Sequence, residues 1–166
     1  MGGGGGGRRR GLAPEEFERL ARVARDKLRE ATGPQRRNVF LSFASEDLTD
    51  VNLLRGQAKK ENSEIDFNDW SLRKPFDSKD ADYIRRGIRE RIRQSSMMLV
   101  YVSEHTATSR WVDWEIREAL EMGKQVVGVY KGENAPTALP EVIKEKHIRM
   151  IPWRMDELSR ALGGRE

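Results

Sequence analysis

Met97-Met98-Leu99-Val100-Tyr101-Val102 is the longest apolar run in the chain, and its reading decides the fold. Successive side chains of a strand point to opposite faces, so six apolar residues in a row describe a strand buried on both sides. That is the pattern of a central strand in a parallel sheet with helices on each face. The run is far shorter than the roughly 20 residues a membrane span needs. To either side, short apolar runs alternate with amphipathic stretches. Asn38 to Phe43 reads as the first strand, and Asp47 or Asp50 can cap a helix running to about Lys60. Glu64 to Phe67 is the second, with Ile65 and Phe67 on one face, and the polar loop Asn68 to Asp80 follows it. Ile84, Ile88 and Ile92 mark the next helix, and another from about Ser109 to Met122 stops at Gly123. Gln125 to Tyr130, Ile148 to Trp153 and a last helix from about Met155 to Leu162 complete the series.

Five strands interleaved with helices predict an α/β fold, and right-handed crossovers make its sheet parallel. The first and third strands are the most apolar and belong at the centre. The predicted architecture is therefore flavodoxin-like: a three-layer α/β/α sandwich with a five-stranded parallel sheet in the order 2-1-3-4-5. Ligands of such sheets bind beyond the carboxyl ends of the strands. Here those ends lead into Phe43–Asp47, Asn68–Asp80, Ser103–Trp111 and Lys131–Ala135.

Ahead of this domain, placed at residues 36–163, come a Gly/Arg tail at 1–13 and an amphipathic helix at 14–33. The tail gains little from burial and is expected to be disordered. In the helix, Phe17, Leu20, Ala21, Ala24, Leu28 and Ala31 follow three- and four-residue steps, and Gly33-Pro34 ends it. It is expected either to pack on the domain or to serve self-association.

The 166 residues are 37% hydrophobic and 35% charged, and four Trp, five Phe and three Tyr argue for an ordered core. The net charge of +4 is concentrated at one end. Residues 1–37 carry 10 basic and 5 acidic side chains, whereas the rest carries 21 and 22. A nucleic-acid-binding domain would be expected to place its positive stripe on the fold itself, so that class is set aside. There is no Cys, which excludes disulfides, thiol nucleophiles and Cys-ligated metals and fits a reducing cytoplasm. No apolar stretch follows Arg8-Arg9-Arg10, so neither a signal peptide nor a membrane anchor is expected.

Several catalytic motifs fail. The glycines at 2–7 precede no strand, and Gly123-Lys124 lacks the surroundings of a phosphate loop. His105 and His147 are the only histidines and form no metal-binding pair, so no metal site is expected. No Gly-x-Ser-x-Gly elbow is present. The third strand ends Val102-Ser103-Glu104, without the Asp a phospho-receiver needs there. What remains is Ser109-Arg110-Trp111-Val112-Asp113-Trp114-Glu115. On a helix, Val112, Ile116, Ala119 and Leu120 make the buried stripe, and Trp111 and Glu115, four apart, form the row flanking it. The residues alone leave two readings: a boundary carboxylate beside a core indole, or a carboxylate held for chemistry at the ligand-binding edge.

Phe40-Leu41-Ser42-Phe43-Ala44-Ser45-Glu46-Asp47 resembles the opening box of Toll/interleukin-receptor (TIR) domains. Ser103, Ser109-Arg110-Trp111 and Glu115 resemble the TIR stretch Ser-x-(5–7 residues)-Ser-x-Trp-x-x-x-Glu. Trp111-Val-Asp-Trp-Glu-Ile, with Gly123-Lys124 before the next strand, is most similar to the TIR-like proteins of bacterial Thoeris anti-phage systems. The resemblance covers about residues 37–153. It implies an NAD+-consuming enzyme, a glycohydrolase or cyclase with NAD+ as substrate and no cofactor. Its product would be a cyclic ADP-ribose-type signal read by a separate effector protein. It implies Glu115 as the catalytic residue, with Trp111 beside it and Phe43 stacking on a base. Ser45 stands where many TIR enzymes carry a basic residue, and Ser103 completes the substrate-binding set. The loop Asn68–Asp80 matches the so-called BB loop, which adds Trp70 and Asp77 as ligand-facing residues. The alternatives are a non-catalytic TIR-like interaction module and a nucleoside deoxyribosyltransferase-like enzyme.

Overall fold

In the computed structural model, residues 11, 13–32, 37–61, 65–69 and 75–163 are described. The chain divides into two units, Met1–Gln35 and Arg36–Glu166. The first contains helix α1 (Pro14–Thr32). Proline suits its first turn, Glu15 and Glu16 lie at its positive end, and Glu16 accepts from the Ala13 N–H at 3.3 Å. The tail at residues 1–10, Gly33-Pro34 and Trp70 lie outside the described residues.

The second unit runs β1 (Arg37–Ser42), α2 (Leu48–Glu61), β2 (Ile65–Asn68), α3 (Ala81–Gln94), β3 (Met97–Tyr101), α4 (Arg110–Glu121), β4 (Gln125–Tyr130), α5 (Glu141–Glu145), β5 (Arg149–Pro152) and α6 (Met155–Gly163). Among the described residues the strands form one sheet in the order β2-β1-β3-β4-β5, parallel throughout. This is the order predicted from the apolar runs. Its register sets Val39 against Met97, Ser42 against Val100, and Tyr101 against Val129.

Strand alternation sorts the core into two layers. Val39, Leu41 and Phe43 join Leu99, Tyr101, Leu54 and Leu158 on the α2/α6 side. Phe40 joins Met98, Val100 and Val102 with Ile84, Ile88, Ile92, Val112 and Ile116 on the α3/α4 side. Every residue of β3 is buried, as its two-faced apolar run requires. Each fully buried isoleucine of α3 contributes about 1.5–3 kcal/mol of hydrophobic stabilisation. No helix among the described residues is long and apolar enough to cross a membrane.

Helix α5 has no counterpart among the expected elements. Its five residues bury only Val142 and Ile143, too little to display a helical period. The end of α4, by contrast, was legible. Gly123 adopts φ +74°, Lys124 N–H bonds the Ala119 carbonyl at 2.9 Å, and Gly123 N–H bonds that of Leu120 at 3.0 Å. This is a Schellman cap, which a glycine enters without strain. We expect Gly123→Ala to cost about 1 kcal/mol, read as a lower urea midpoint at unchanged slope.

Candidate active site at the carboxyl edge of the sheet

Helix α4 begins at the carboxyl edge of the sheet and packs over β3, β4 and β1. Ser109 caps it, its Oγ accepting from the Val112 N–H at 3.3 Å. Val112, Ile116 and Ala119 face the sheet and are fully buried. Trp111 and Glu115 were expected to flank this stripe, half in and half out. Both lie inside: Trp111 is 7% exposed and Glu115 0%. For Trp111 the reason is tertiary, because the segment before α3 folds back over the first turn of α4. A carboxylate in such a place is expensive to bury unless it is paired or neutralised.

That covering segment is fastened by an aromatic and guanidinium cluster. Phe76 meets Trp111 edge-on at 4.9 Å between ring centroids, and Trp111 meets Trp114 at 5.9 Å. The Arg85 guanidinium lies 4.2 Å from the Phe76 ring centroid and that of Arg110 lies 4.6 Å from it. Arg85 also donates to the Phe76 carbonyl at 3.0 Å and to Asp82 at 3.0 Å. Asp77, an expected ligand contact, is exposed and pairs with Arg110 at 2.5 Å. On α3, Arg89 pairs with Glu118 at 3.2 Å.

The other expected site residues are distributed around the same edge. Phe43 continues the alternation of Val39 and Leu41, so it is buried in the α2/α6 layer, across the sheet from Trp111. Ser45 is exposed and opens a 3-10 turn. The Ser103 hydroxyl donates to Asp47 at 2.5 Å and accepts from the His105 N–H at 3.0 Å, while the Ser103 N–H bonds Thr106 Oγ1 at 2.7 Å. Asp47, Ser103 and His105 line a cleft of about 410 Å³ together with Asp50, Tyr101 and Lys131. Trp111 and Glu115 thus sit together in the α3/α4 layer, whereas Ser103 is committed to Asp47.

Burial pushes the Asp47 carboxyl above the usual carboxylate range, against the opposing pull of the Ser103 hydrogen bond and the His105 charge. A raised native value means the folded state holds the proton more tightly. That contribution to stability is present at low pH and is lost as pH rises through the native value. We therefore expect Asp47→Asn to be at least as stable as the parent at pH 7. Its advantage should shrink on acidification, as followed by melting temperature across pH 4–8. Burial and the neighbouring Asp50 likewise hold the Tyr101 phenol well above its ordinary value, and Tyr101 donates to Asp50 at 3.1 Å.

Two participants were not singled out from the sequence. Phe76 carries no local signal, since its contact with Trp111 spans 35 positions. Ser42 was quoted only as part of the opening box, although counting two residues on from Phe40 assigns it to the α3/α4 side. Its side chain is fully buried, and its Oγ has no hydrogen-bond partner among the described residues. Such an orphan hydroxyl costs about 1–3 kcal/mol. Among the described residues, no group of three or more His, Asp or Glu is placed to hold a metal ion.

The family described as "Thoeris protein ThsB, TIR-like domain" matches residues 40–136. No curated protein matches the sequence. Among solved structures, the chain is similar to the Clostridium botulinum CMP N-glycosidase BcmB, with 15% identity, 78% of this chain and 100% of that chain covered, and a TM-score of 0.50. It is also similar to the TIR domains of the activated Roq1 resistosome recognising the pathogen effector XopQ, at 23% identity over 66% of this chain and 63% of that one, TM-score 0.44. A 3-dehydroquinate dehydratase-like protein from Bifidobacterium longum matches at 9% identity over 77% and 94%, TM-score 0.45. At these identities the likeness to solved structures is one of fold.

Proposed function

The chain belongs to the Thoeris ThsB TIR-like domain family, and from that premise we propose that it is an NAD+-consuming enzyme. The observation that carries the reading is a glutamate buried to 0% exposure, one turn inside a helix that starts at the carboxyl edge of the sheet. Cleavage of the bond between nicotinamide and ribose needs no metal and no general acid. The bonding pair leaves with nicotinamide, which departs as a neutral molecule. The ribosyl carbon is left with oxocarbenium character, as in glycoside cleavage. Glu115 answers that charge. Its carboxylate orients the sugar through the ribose hydroxyls and stabilises the developing cation in a site shielded from water. Trp111 and Phe76 supply the shield.

Capture of the ribosyl carbon by water gives ADP-ribose, and capture by an atom of the same molecule gives a cyclic product. The family context favours the second, a cyclic ADP-ribose-type signal for a separate effector protein in anti-phage defence. The Clostridium botulinum neighbour is named for cleavage of an N-glycosidic bond in CMP, the same class of bond on a similar fold.

The test is mass spectrometry of NAD+ incubated with concentrated protein, with and without phage lysate. We expect NAD+ to disappear with equimolar release of nicotinamide. The partner product should be ADP-ribose or a species lighter by one water. NAD+ left intact in both conditions would overturn the enzyme reading and leave a non-catalytic TIR-like interaction module.

A further inference from the structure

β1 ends in a hydroxyl that none of the described residues engages. Ser42 is 0% exposed, and its Oγ has no hydrogen-bond partner among the described residues. Three other buried polar side chains of the domain are engaged. Asp47 accepts from Ser103, Ser95 donates to the Arg91 carbonyl at 2.8 Å, and Thr106 donates to the Tyr101 carbonyl at 3.2 Å. Buried polar atoms are almost always satisfied, and alanine, smaller by one oxygen, would avoid the desolvation penalty. A serine kept here calls for a partner that arrives from outside.

The sheet says where that partner comes. Phe40 points into the α3/α4 layer while Leu41 and Phe43 point into the other, so Ser42 faces the α3/α4 side. Its partner in β3 is Val100, which belongs to the same layer. Helix α4 packs over both strands and buries Glu115 in that layer. Two buried polar side chains, Ser42 of β1 and Glu115 of α4, thus belong to the layer that also holds Phe40, Val100, Val112 and Ile116. A carboxylate can only accept hydrogen bonds, whereas a sugar hydroxyl both donates and accepts. A serine in the same layer can supply the donor that the carboxylate lacks.

We propose that Ser42 is a second substrate-binding residue of this site, its hydroxyl engaging a ribose hydroxyl of the sugar whose glycosidic bond breaks. This rests on the NAD+ reading above and sharpens it to the sugar. The pair Ser42 and Glu115 selects a ribosyl group that carries its vicinal diol over a deoxyribosyl group. A site that hydrogen-bonds a hydroxyl discriminates strongly against the analogue lacking it, because its own buried polar group is then left unpaired.

The experiment compares the parent with Ser42→Ala on NAD+ and on two analogues, lacking the 2′- or the 3′-hydroxyl of the nicotinamide ribose. With NAD+ we expect kcat/KM to fall about 10- to 100-fold, at a melting temperature equal to or above that of the parent. With the analogue missing the hydroxyl that Ser42 holds, parent and variant should differ by less than about twofold, since the interaction is already gone. Equal kcat/KM on NAD+ would overturn the assignment, and so would the same loss on all three substrates with a lowered melting temperature, which marks a packing residue. Either result leaves the NAD+ reading standing. A parent protein without turnover of NAD+ overturns both.

Discussion

Glu115→Gln is expected to abolish NAD+ turnover, lowering kcat by at least about a hundredfold, while the protein stays folded. The magnitude follows from removing one preorganised electrostatic group from a water-excluded site, which costs about 10²- to 10³-fold. The amide copies the carboxylate in shape, so the packing of Val112, Ile116 and Ala119 around α4 has no reason to change. What it lacks is the charge that meets the ribosyl cation. Melting temperature is the control for folding. Glu115→Asp separates charge from position. It keeps the carboxylate but withdraws it by one methylene, and misplacement on the order of 1 Å is itself worth about 100-fold. Both variants should therefore be slow. Turnover in Glu115→Gln equal to the parent would sink the assignment of Glu115, whatever the fate of NAD+.

How much of this was legible in the sequence depends on the range of the interaction. The sheet order could be read because β3 is apolar on both faces and because Ile84, Ile88 and Ile92 repeat at helical spacing. Such patterns are local and carry their own period. Gly123 announced the end of α4 for a similar reason, since a left-handed residue is needed one step past the helix. The burial of Trp111 and Glu115 could not be read from α4. Periodicity gave the stripe that faces the sheet, whereas the cover over Trp111 comes from Phe76, on a segment that precedes α3. Long-range pairing also explains Ser103, whose hydroxyl turns to Asp47, 56 positions earlier. Ser42 is the instructive omission. Its orientation followed from two-residue alternation alone, but the sequence pattern drew attention to the aromatic next to it.

Trp111→Ala carries the largest expected loss of stability, about 3–5 kcal/mol for truncating a buried indole. Its edge contacts with Phe76 and Trp114 add about 0.5–1.5 kcal/mol each to what burial alone provides. For a chain of 166 residues that corresponds to a fall in melting temperature on the order of 10 °C. A domain of ordinary stability, about 5–15 kcal/mol, then remains folded at low temperature, and activity should be measured there. The loss of turnover should exceed what the unfolded fraction explains. Without the indole, Phe76 loses its seat, the clasp made by Arg85, Arg110 and Asp77 has nothing to close against, and water reaches Glu115. Trp111→Phe tests the link directly. A phenyl ring retains an edge for Phe76 at a smaller packing cost, so it should recover most of the stability and part of the turnover. Phe76→Ala approaches from the other side, removing a half-buried ring while leaving Trp111 in place, and should cost less stability than Trp111→Ala while still slowing turnover. A destabilisation by Trp111→Ala below about 1 kcal/mol in urea unfolding would contradict the buried placement of the indole. Normal turnover in Phe76→Ala would show that Glu115 works without its aromatic cover.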